Sequence, residues 1–498
     1  MEIEQNNEYD YDLFVIGGGS GGVKAATTAA KLGARVAIAD YVVPSPYGTT
    51  WGLGGTCINV GCIPKKLFHQ ASLLGEARED AQAAGWDIST EGRHDWGKMT
   101  ESVHKYIRNL RWNAKLVLGE MQIKYYNMLA SFVDEHTLQL SDPKKGKKET
   151  VTAKSIIIAV GGRPATLTNI PNAKELTITS DDIFYLKQNP GKTLVVGGSY
   201  IALETAGFLT GLGNDVTVMV RSVLLRSFDQ SAASRVGKYM ETKGTKFIYK
   251  TVPEHIEKLE DGRKRVSYRD EEGNIHTEDF DTVLVAVGRV ANTPYLNLGA
   301  AGVRVDPHNH KIYTNDADQT STENIYSIGD AAYNRPELTP PAVMAGKLLS
   351  ERLFKGSKKL MNYKMIATTV FTPLEYGVIG YSEEEAIEVF GRENVTAYHS
   401  VFKPYEWVYV EGRPSDVCYV KMVCKKDENE KIIGLHYVGP NAGEVVQGFS
   451  VAINLGATRE DFAETVGIHP TAAEEVLELN LTTDQSPEAA GGCKGCGF

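Results

Sequence analysis

Residues 12–40, DLFVIGGGSGGVKAATTAAKLGARVAIAD, decide the fold. They contain a short apolar run, a glycine-rich turn, a helical pattern and a second apolar run that ends at Asp40. Gly17, Gly19 and Gly22 form a GxGxxG motif, whose glycines permit a tight turn, close approach of a pyrophosphate and packing of the helix on the strand. The helix start offers N–H groups to phosphates, and Asp40 can accept a hydrogen bond from a ribose hydroxyl. The stretch therefore predicts a βαβ unit that binds a dinucleotide.

A second, degraded copy of this pattern lies in the middle of the chain. Its turn begins at Gly197, but Ser199 and Ala202 stand where the second and third glycines would be. The next apolar strand ends at Arg221, and Arg226 follows shortly after it. Arginine binds a 2′-phosphate through charge-assisted hydrogen bonds, whereas an acidic residue would repel it. We therefore predict that this unit binds NADPH in preference to NADH; the alternative is that both arginines are solvated surface residues.

Other apolar runs that end in glycine indicate the domain order. Residues 156–161 and 283–288 flank the second unit, as if one domain were inserted into the other. From about residue 363 the pattern changes to alternating strands and two late helices without a glycine fingerprint. We predict an α/β protein with two Rossmann-like nucleotide-binding domains, one inserted in the other, and a C-terminal α+β domain. The predicted limits are 1–161 and 290–362 for the first domain, 162–289 for the inserted domain, 363–485 for the C-terminal domain and 486–498 for a flexible tail.

Composition narrows the function classes. The 498-residue chain has a formal net charge of −10, which argues against nucleic-acid binding because such proteins need a basic face. No apolar run approaches the roughly 20 residues that span a bilayer. The acidic N-terminus lacks the pattern of a signal or transit peptide. We therefore expect a cytoplasmic protein without a nucleic-acid or membrane partner.

Residues 54–66, GGTCINVGCIPKK, carry the most specific pattern in the chain. Cys57 and Cys62 are separated by four residues and could close a small disulfide across a distorted helical turn. The thiolate is the reactive form of cysteine, and Lys65 and Lys66 would favour it electrostatically. Zinc binding is the alternative, but there is no second CxxC or histidine pair at ligand spacing nearby. We therefore predict a redox-active pair and no metal site.

With these motifs, the chain resembles the pyridine nucleotide–disulfide oxidoreductases, which include glutathione reductases, dihydrolipoamide dehydrogenases, mercuric reductases and large thioredoxin reductases. The resemblance covers nearly the whole chain and extends to residues 328–330 (IGD) and 469–471 (HPT). It implies FAD and NADPH as cofactors, a C-terminal domain used for dimerisation, and a homodimer with active sites shared between subunits.

The resemblance also implies roles for single residues. Cys62 is expected to face the flavin as a thiolate, and Cys57 to exchange with the incoming disulfide. His469, oriented by Glu474, is expected to serve as acid–base group in the active site of the other subunit. Imidazole suits this task because its pKa lies near the working pH.

Further implied contacts involve the cofactors. Lys65 is expected beside the flavin, paired with Glu204. The residues expected to contact FAD are Gly17, Gly19, Gly22, Asp40, Thr56, Asp330, Leu338 and Thr339. The residues expected to contact NADPH are Gly197, Tyr200, Arg221, Arg226 and Arg289.

Cys493 and Cys496, separated by Lys-Gly, distinguish among the members of this family. Large thioredoxin reductases have a redox-active C-terminal pair that carries electrons from the inner thiols to a protein disulfide too bulky to enter. The resemblance therefore implies transfer from NADPH through FAD and the Cys57/Cys62 pair to the tail pair of the partner subunit, and then to thioredoxin. The 19 residues from Glu474 to Cys493 could span at most ~65 Å.

Three alternatives remain at this point. A glutathione reductase would leave the tail incidental; Thr27 stands where such enzymes typically have a substrate-binding arginine. A metal-ion reductase is the second alternative, although the C-terminal pair of mercuric reductases is vicinal. A non-enzymatic flavoprotein would not need redox cysteines. The remaining cysteines, Cys418 and Cys424, lie in a strand-like run and are predicted to be packing residues.

Overall fold

The computed structural model describes residues 8–89 and 92–486, so the predicted tail pair, Cys493 and Cys496, lies outside the described residues. The strands are β1 (Tyr11–Ile16), β2 (Val36–Ala39), β3 (Lys124–Tyr126), β4 (Leu129–Phe132), β5 (Thr137–Ser141), β6 (Lys148–Ile158), β7 (Gly162–Pro164), β8 (Ile178–Thr179), β9 (Thr193–Val196), β10 (Val216–Val220), β11 (Lys246–Tyr249), β12 (Pro253–Lys258), β13 (Lys264–Arg269), β14 (Ile275–Phe280), β15 (Thr282–Val285), β16 (Arg289–Ala291), β17 (Ile325–Ser327), β18 (Thr368–Val370), β19 (Tyr376–Gly380), β20 (Val395–Phe402), β21 (Cys418–Lys425) and β22 (Lys431–Val438). The α-helices are α1 (Ser20–Lys31), α2 (Gly55–Val60), α3 (Cys62–Ala83), α4 (Trp96–Glu120), α5 (Ala173–Leu176), α6 (Ser180–Ile183), α7 (Tyr200–Gly211), α8 (Gln230–Thr242), α9 (Thr339–Lys355), α10 (Glu383–Phe390), α11 (Ala442–Asn454) and α12 (Arg459–Ala463).

The first nucleotide-binding unit is built on a seven-stranded sheet. β3, β2, β1, β6 and β17 are parallel neighbours, while β5 and β4 continue antiparallel from the first half of β6. α1 and α9 pack against each other, and the Ser350 hydroxyl of α9 donates to Ala25 O of α1 at 2.9 Å. This contact fixes the position of α9 relative to the glycine-rich turn. α1 begins at Ser20, and Gly21 and Gly22 are buried in its first turn.

The inserted unit repeats the same construction on a five-stranded parallel sheet, ordered β11-β10-β9-β15-β8. A side chain at Gly17 would lie 2.2 Å from Ala159 O, and one at Gly197 would lie 2.3 Å from Ala286 O. Both glycines also have positive φ, +113° and +139°. The turn thus requires glycine at the first position of each motif, which explains why this glycine is present even in the degraded copy.

The chain crosses between the two units twice, and the crossings lie side by side. β7 enters the inserted unit, β16 leaves it, and the two strands pair with each other in antiparallel register. A three-stranded antiparallel sheet, β12-β13-β14, completes the inserted unit. The predicted insertion of one Rossmann-like unit into the other is confirmed. The exact domain limits remain predictions.

The C-terminal part forms an antiparallel sheet in the order β18-β19-β22-β21-β20. One hydrophobic core continues into it from the inserted unit and includes Val218, Met240 and Leu435. Cys418 and Cys424 are fully buried on β21, and burial raises the pKa of Cys424 to about 12. Their predicted packing role is confirmed, and the fold class agrees with the prediction.

Within residues 8–89 and 92–486, no helix combines the length and apolarity needed to cross a membrane.

Candidate active site

Two cysteines stand on either side of a break between two helices. Cys57 lies in α2, and Cys62 is the first residue of α3. Gly61 between them has φ −137° and ψ −118°, which interrupts the helical path. Thr56, predicted to contact FAD, immediately precedes Cys57 in α2. The predicted distorted helical turn is therefore a short helix and a long helix joined at one residue.

The loop in front of the pair is held by a buried amide. The side chain of Asn59 is fully buried and donates to the carbonyl oxygens of Leu53 and Gly55 at 3.4 and 2.8 Å. On the other side, the hydroxyl of Ser20, the first residue of α1, bonds to Cys57. The redox pair is thus attached to the glycine-rich turn of the first nucleotide-binding unit.

The two cysteines are unpaired thiols with unequal acidity. Hydrogen bonding from Cys57 lowers the pKa of Cys62 to about 6, against the effect of burial. Thr339, whose Oγ1 lies 3.6 Å from Cys62 Sγ, and the charge of Lys65 act in the same direction. The same hydrogen bond, together with burial, raises the pKa of Cys57. The site therefore holds a thiolate at Cys62 and a thiol at Cys57.

Lys65 joins the redox helix to the inserted unit. Its Nζ donates to Glu204 Oε1 on α7 at 2.7 Å, and the two side chains are only 16% and 4% exposed. Glu204 Oε1 also accepts from the backbone N–H of Phe371 at 2.8 Å. The Phe371 ring centroid lies 4.2 Å from Lys65 Nζ. The ion pair expected from the sequence is present, and it is surrounded by all three parts of the molecule.

Lys66 is in contact with the C-terminal part of the chain. Its Nζ donates to Glu375 Oε1 at 3.0 Å and lies 4.0 Å from the Phe371 ring centroid. His69 Nε2 is 3.2 Å from the same carboxylate oxygen. The charge of Lys65 lowers the pKa of Cys62, whereas Lys66 is engaged by the C-terminal part of the chain. The expectation that both lysines favour the thiolate is supported only for Lys65.

The first glycine-rich turn has the features of a dinucleotide site. Gly19 is the N-cap residue of α1 and has no side chain. The first N–H groups of the helix therefore have no side-chain cap and can donate to a phosphate. Asp40 accepts from the N–H of Gly18 at 3.0 Å, and burial raises its pKa to about 6. Asp330 is partly buried in the short 3₁₀ helix after β17, and desolvation there raises the pKa of its carboxyl group. Leu338 is the N-cap residue of α9, next to Thr339. These predicted FAD contacts share one edge of the sheet and fit a dinucleotide.

The residues predicted for NADPH fall into two groups. Arg221 and Arg226 are exposed after the end of β10, and the Arg226 guanidinium donates to the hydroxyl of Ser222 at 2.5 Å. Tyr200 begins α7, and burial raises the pKa of its hydroxyl. Arg289 donates to Gly162 O at 2.6 Å, and its charge acts on both Tyr200 and Asp330. Arg289 therefore lies between the two nucleotide-binding units and not with the other arginines.

His469 and Glu474 form a separate pair. His469 Nδ1 lies 3.0 Å from Glu474 Oε1, and the histidine side chain is half-exposed. Among the described residues, no hydrogen bond or ion pair connects His469 with Cys57 or Cys62. Val466 and Ile468, which precede it, are 92% and 77% exposed. A single chain therefore presents this histidine on an apolar surface.

Four residues of the site were not singled out from the sequence: Ser20, Asn59, Phe371 and Glu375. Ser20 lies inside the quoted glycine motif, so a hydroxyl at the start of α1 was a usable signal. Asn59 likewise lies inside the quoted cysteine stretch and bonds to carbonyl groups only four to seven positions away. Phe371 and Glu375 act through long-range contacts with Lys65 and Lys66, which no local pattern reveals.

A pair of reactive cysteines between two dinucleotide-binding units defines a flavin- and nucleotide-dependent disulfide oxidoreductase. Comparison with known families agrees with this class. The family model described as "Pyridine nucleotide-disulphide oxidoreductase" matches residues 11–346. The model of the dimerisation domain of the same family matches residues 366–480. The chain belongs to the pyridine nucleotide-disulphide oxidoreductase family, a family of FAD-dependent enzymes that use NAD(P)H.

A full-length relative is thioredoxin reductase SEP1 of Emiliania huxleyi. It is 50% identical over 497 residues, which cover 98% of this chain and 99% of the relative. The likeness therefore extends through the nucleotide-binding units and the dimerisation domain alike.

Proposed function

We propose that the protein is an NADPH-dependent thioredoxin reductase. The observation that carries the proposal is the Cys57/Cys62 pair, in which a thiolate at Cys62 lies beside the Lys65–Glu204 ion pair at the junction of two nucleotide-binding units. The full-length similarity to a thioredoxin reductase supports the choice of substrate. A reducing compartment such as the cytoplasm suits a site that depends on two thiols.

The two glycine-rich turns indicate which residues would hold each cofactor. FAD would be held by the turn at Gly17, Gly19 and Gly22, with Asp40 and Asp330 for its hydroxyl groups. NADPH would be held by the turn at Gly197, with Arg221 and Arg226 for the 2′-phosphate. When bound, FAD supplies two-electron transfer between the nicotinamide and the dithiol.

The residues of this chain divide the work of disulfide exchange. His469 of the other subunit takes the proton of Cys57, whose sulfur attacks the incoming disulfide and forms a mixed disulfide. His469 then gives this proton to the leaving thiolate. The Cys62 thiolate then attacks Cys57 Sγ and expels the second sulfur. Two thiols of the enzyme become one disulfide, and one substrate disulfide becomes two thiols. Lys65, held by Glu204, keeps a positive charge beside the thiolate throughout.

The dimer supplies the missing acid–base group. Val466 and Ile468 form an exposed apolar surface next to His469, of the kind that proteins cover by association. The dimerisation-domain match covers these residues. A second subunit would bring His469 and Glu474 to the cysteines of the first.

Deletion of residues 493–498 tests the proposed route to thioredoxin. With FAD bound beside the inner pair, a folded protein disulfide would need the tail pair as an intermediate carrier. We expect the reduction of bound FAD by NADPH to be unchanged, because this step does not involve the tail. Thioredoxin turnover should fall by about 100-fold or more, a loss of about 2.7 kcal/mol of transition-state stabilisation. A truncated enzyme that reduces thioredoxin at the full rate would exclude the relay and favour glutathione disulfide as the substrate.

A further inference from the structure

Residues 481–486, which we call the mooring segment, add a short antiparallel strand to the edge of β20. The N–H of His399 donates to Leu481 O at 3.0 Å, and the N–H of Thr483 donates to Ala397 O at 2.9 Å. β20 is the edge strand of the C-terminal sheet, so the mooring segment occupies an edge that would otherwise offer unpaired backbone groups. The polypeptide is therefore fastened well beyond the dimerisation core.

Side chains reinforce this backbone pairing. Glu383 Oε1 accepts from the Thr483 hydroxyl at 2.8 Å and from Arg392 Nη1 at 3.0 Å. The same guanidinium binds Asp484 through its other nitrogen. Glu383 and Arg392 thus bind two consecutive residues of the mooring segment, Thr483 and Asp484.

The end of the mooring segment is held by a buried histidine. His399 is only 3% exposed, and its Nε2 lies 2.8 Å from Ser486 O. Its Nδ1 lies 2.9 Å from the hydroxyl of Tyr419 on β21, which orients the ring. Ser486 is therefore fixed relative to the C-terminal sheet.

Glu383 is itself held by a buried ion pair. Glu383 Oε2 lies 3.0 Å from Lys421 Nζ, which also donates to Asp229 Oδ2 at 2.8 Å. Lys421 and Asp229 are 1% and 0% exposed, and Asp229 is the N-cap of α8 in the inserted unit. Through Glu383 and Lys421, the mooring segment is therefore tied to both the C-terminal sheet and the inserted unit. The tie is strong, because removing one partner of a buried ion pair costs much stability.

We infer that the mooring segment is a positioning device for the C-terminal cysteine pair, because it fixes the point from which the tether to Cys493 starts. This inference rests on the proposed relay. Cys493 lies only seven positions beyond Ser486, a stretch that can span at most ~25 Å. The 19-residue reach expected from the sequence is therefore cut by more than half. A shorter tether confines the tail pair to a smaller volume around Ser486.

Release of the mooring segment would lengthen the tether. The next fastened point is Asn480, whose side-chain oxygen accepts from Arg459 at 3.3 Å. From Asn480 the tether to Cys493 has 13 residues. Effective concentration falls roughly as the −3/2 power of tether length, which predicts an intramolecular step about 2.5-fold slower.

The test uses full-length dimeric enzyme with three changes. Thr483→Pro removes both the N–H and the hydroxyl that fasten the segment. Arg392→Gln removes the grip on Asp484. Insertion of six Gly/Ser residues after Ser486 lengthens the tether to 13 while leaving every mooring contact in place. Arg263→Gln is the matched control, because Arg263 forms a comparable surface ion pair with Asp261, at equal exposure, on the far hairpin of the inserted unit.

Two readouts are needed. Hydrogen exchange at the amides of His399 and Thr483 reports the mooring itself, and both should be protected in the wild-type and Arg263→Gln enzymes. In the Arg392→Gln enzyme both amides should lose protection. In the Thr483→Pro enzyme, which lacks the second amide, protection at His399 should be lost. We expect kcat for thioredoxin to fall about 2.5-fold in these two variants and in the insertion variant. The Michaelis constant for thioredoxin and the rate of ferricyanide reduction by NADPH should not change.

Unchanged kcat in the insertion variant, or in a variant that has lost protection, would overturn the inference. The insertion variant also carries the test alone if Thr483→Pro impairs folding. Cys496→Ser separates this failure from failure of the proposed function. If that substitution leaves thioredoxin turnover intact, the relay is wrong, whatever the mooring variants do.

Discussion

Cys57 and Cys62 differ in protonation although they are only five positions apart. Cys62 starts a 22-residue helix, where the N–H groups of the first turn favour a negative charge, and it has Thr339 and the charge of Lys65 nearby. Cys57 donates to Cys62 and keeps its proton. The pair is therefore prepared for exchange at one sulfur and for stabilisation of a thiolate at the other.

The identity of the thiolate can be tested by substitution. In the wild-type enzyme, two-electron reduction should produce a long-wavelength absorbance that arises from the Cys62 thiolate next to the flavin. Cys62→Ser should abolish this absorbance. Cys57→Ser, which cannot form the disulfide, should show it before any reduction, while its flavin is still oxidised. Spectra of the two variants before reduction and of the reduced wild-type enzyme decide the matter, and an absorbance in Cys62→Ser would assign the thiolate to another residue.

The acidity of Cys62 predicts a pH dependence. Because its pKa is lowered to about 6, the thiolate is present above that value and is lost as the pH falls through it. Alkylation of Cys62 by iodoacetamide in the reduced enzyme should rise with pH to a plateau, with a midpoint near 6. Mass spectrometry of the labelled peptide measures the rate. A midpoint near the ordinary thiol value of about 8.5 would contradict the assigned hydrogen bonds.

The residues of the site differ in how well the sequence predicts them, for physical reasons. Cys57, Cys62 and Lys65 lie within one short motif, so their proximity follows from local chain geometry. Phe371 contacts the same lysine from more than 300 positions away, and an aromatic residue beside a charge leaves no polar pattern in the sequence. Long-range partners of this kind become visible only when the fold is known.

At the scale of the elements, the two βαβ units show which features of the glycine motif are indispensable. In both units a side chain at the first glycine would collide with a carbonyl oxygen at the end of the neighbouring strand, so only glycine fits. Ser199 is tolerated at the second position as the N-cap of α7. The buried parallel strands were predictable from their continuous apolar runs. The hairpin strands β12 to β14 were not, because they are largely exposed and their buried positions do not alternate regularly.

The end of β10 sets the predicted choice between the two nicotinamide cofactors. Arg221 and Arg226 are exposed there, where charge-assisted hydrogen bonds to a 2′-phosphate are worth about 1.5–3 kcal/mol each. Replacing both with Gln should therefore raise the Michaelis constant for NADPH at least about tenfold and change that for NADH little. Steady-state kinetics with both cofactors measure the effect. The pair Arg263→Gln and Arg265→Gln, on the hairpin of the same unit, is the control, and equal effects on NADPH and NADH would exclude the 2′-phosphate contact.

At the scale of the whole molecule, the redox pair lies where three parts meet. Glu204 comes from the inserted unit, Lys65 from the redox helix and Phe371 from the C-terminal part, and all three are joined by direct contacts. The paired crossing strands β7 and β16 and the continuous hydrophobic core hold these parts together. The domain order could be predicted from the sequence, but the convergence on one lysine could not, because it depends on how the domains pack. Within residues 8–89 and 92–486 of a single chain, no histidine is hydrogen-bonded to either cysteine.

Mixed dimers test whether the partner supplies the histidine. In a dimer of a Cys57→Ser chain and a His469→Ala chain, one site combines the intact cysteine pair of one subunit with the intact His469 of the other. The second site lacks both. We therefore expect about half of the wild-type thioredoxin turnover per dimer, although each homodimer should be nearly inactive. The reason is geometric: within one chain, among the described residues, His469 bonds to Glu474 and has no bond to either cysteine.

The experiment needs two affinity tags, one on each variant chain, so that the mixed dimer can be purified away from both homodimers. A dimer of one wild-type chain and one chain with both substitutions provides the matched control. In that control each site lacks one of the two groups, because the intact cysteine pair faces the altered histidine and the intact histidine faces the altered pair. The two mixed dimers contain the same substitutions in the same number, so any difference between them reports only which subunit supplies which group. A within-chain site predicts the opposite ranking, with the control active and the first mixed dimer inactive.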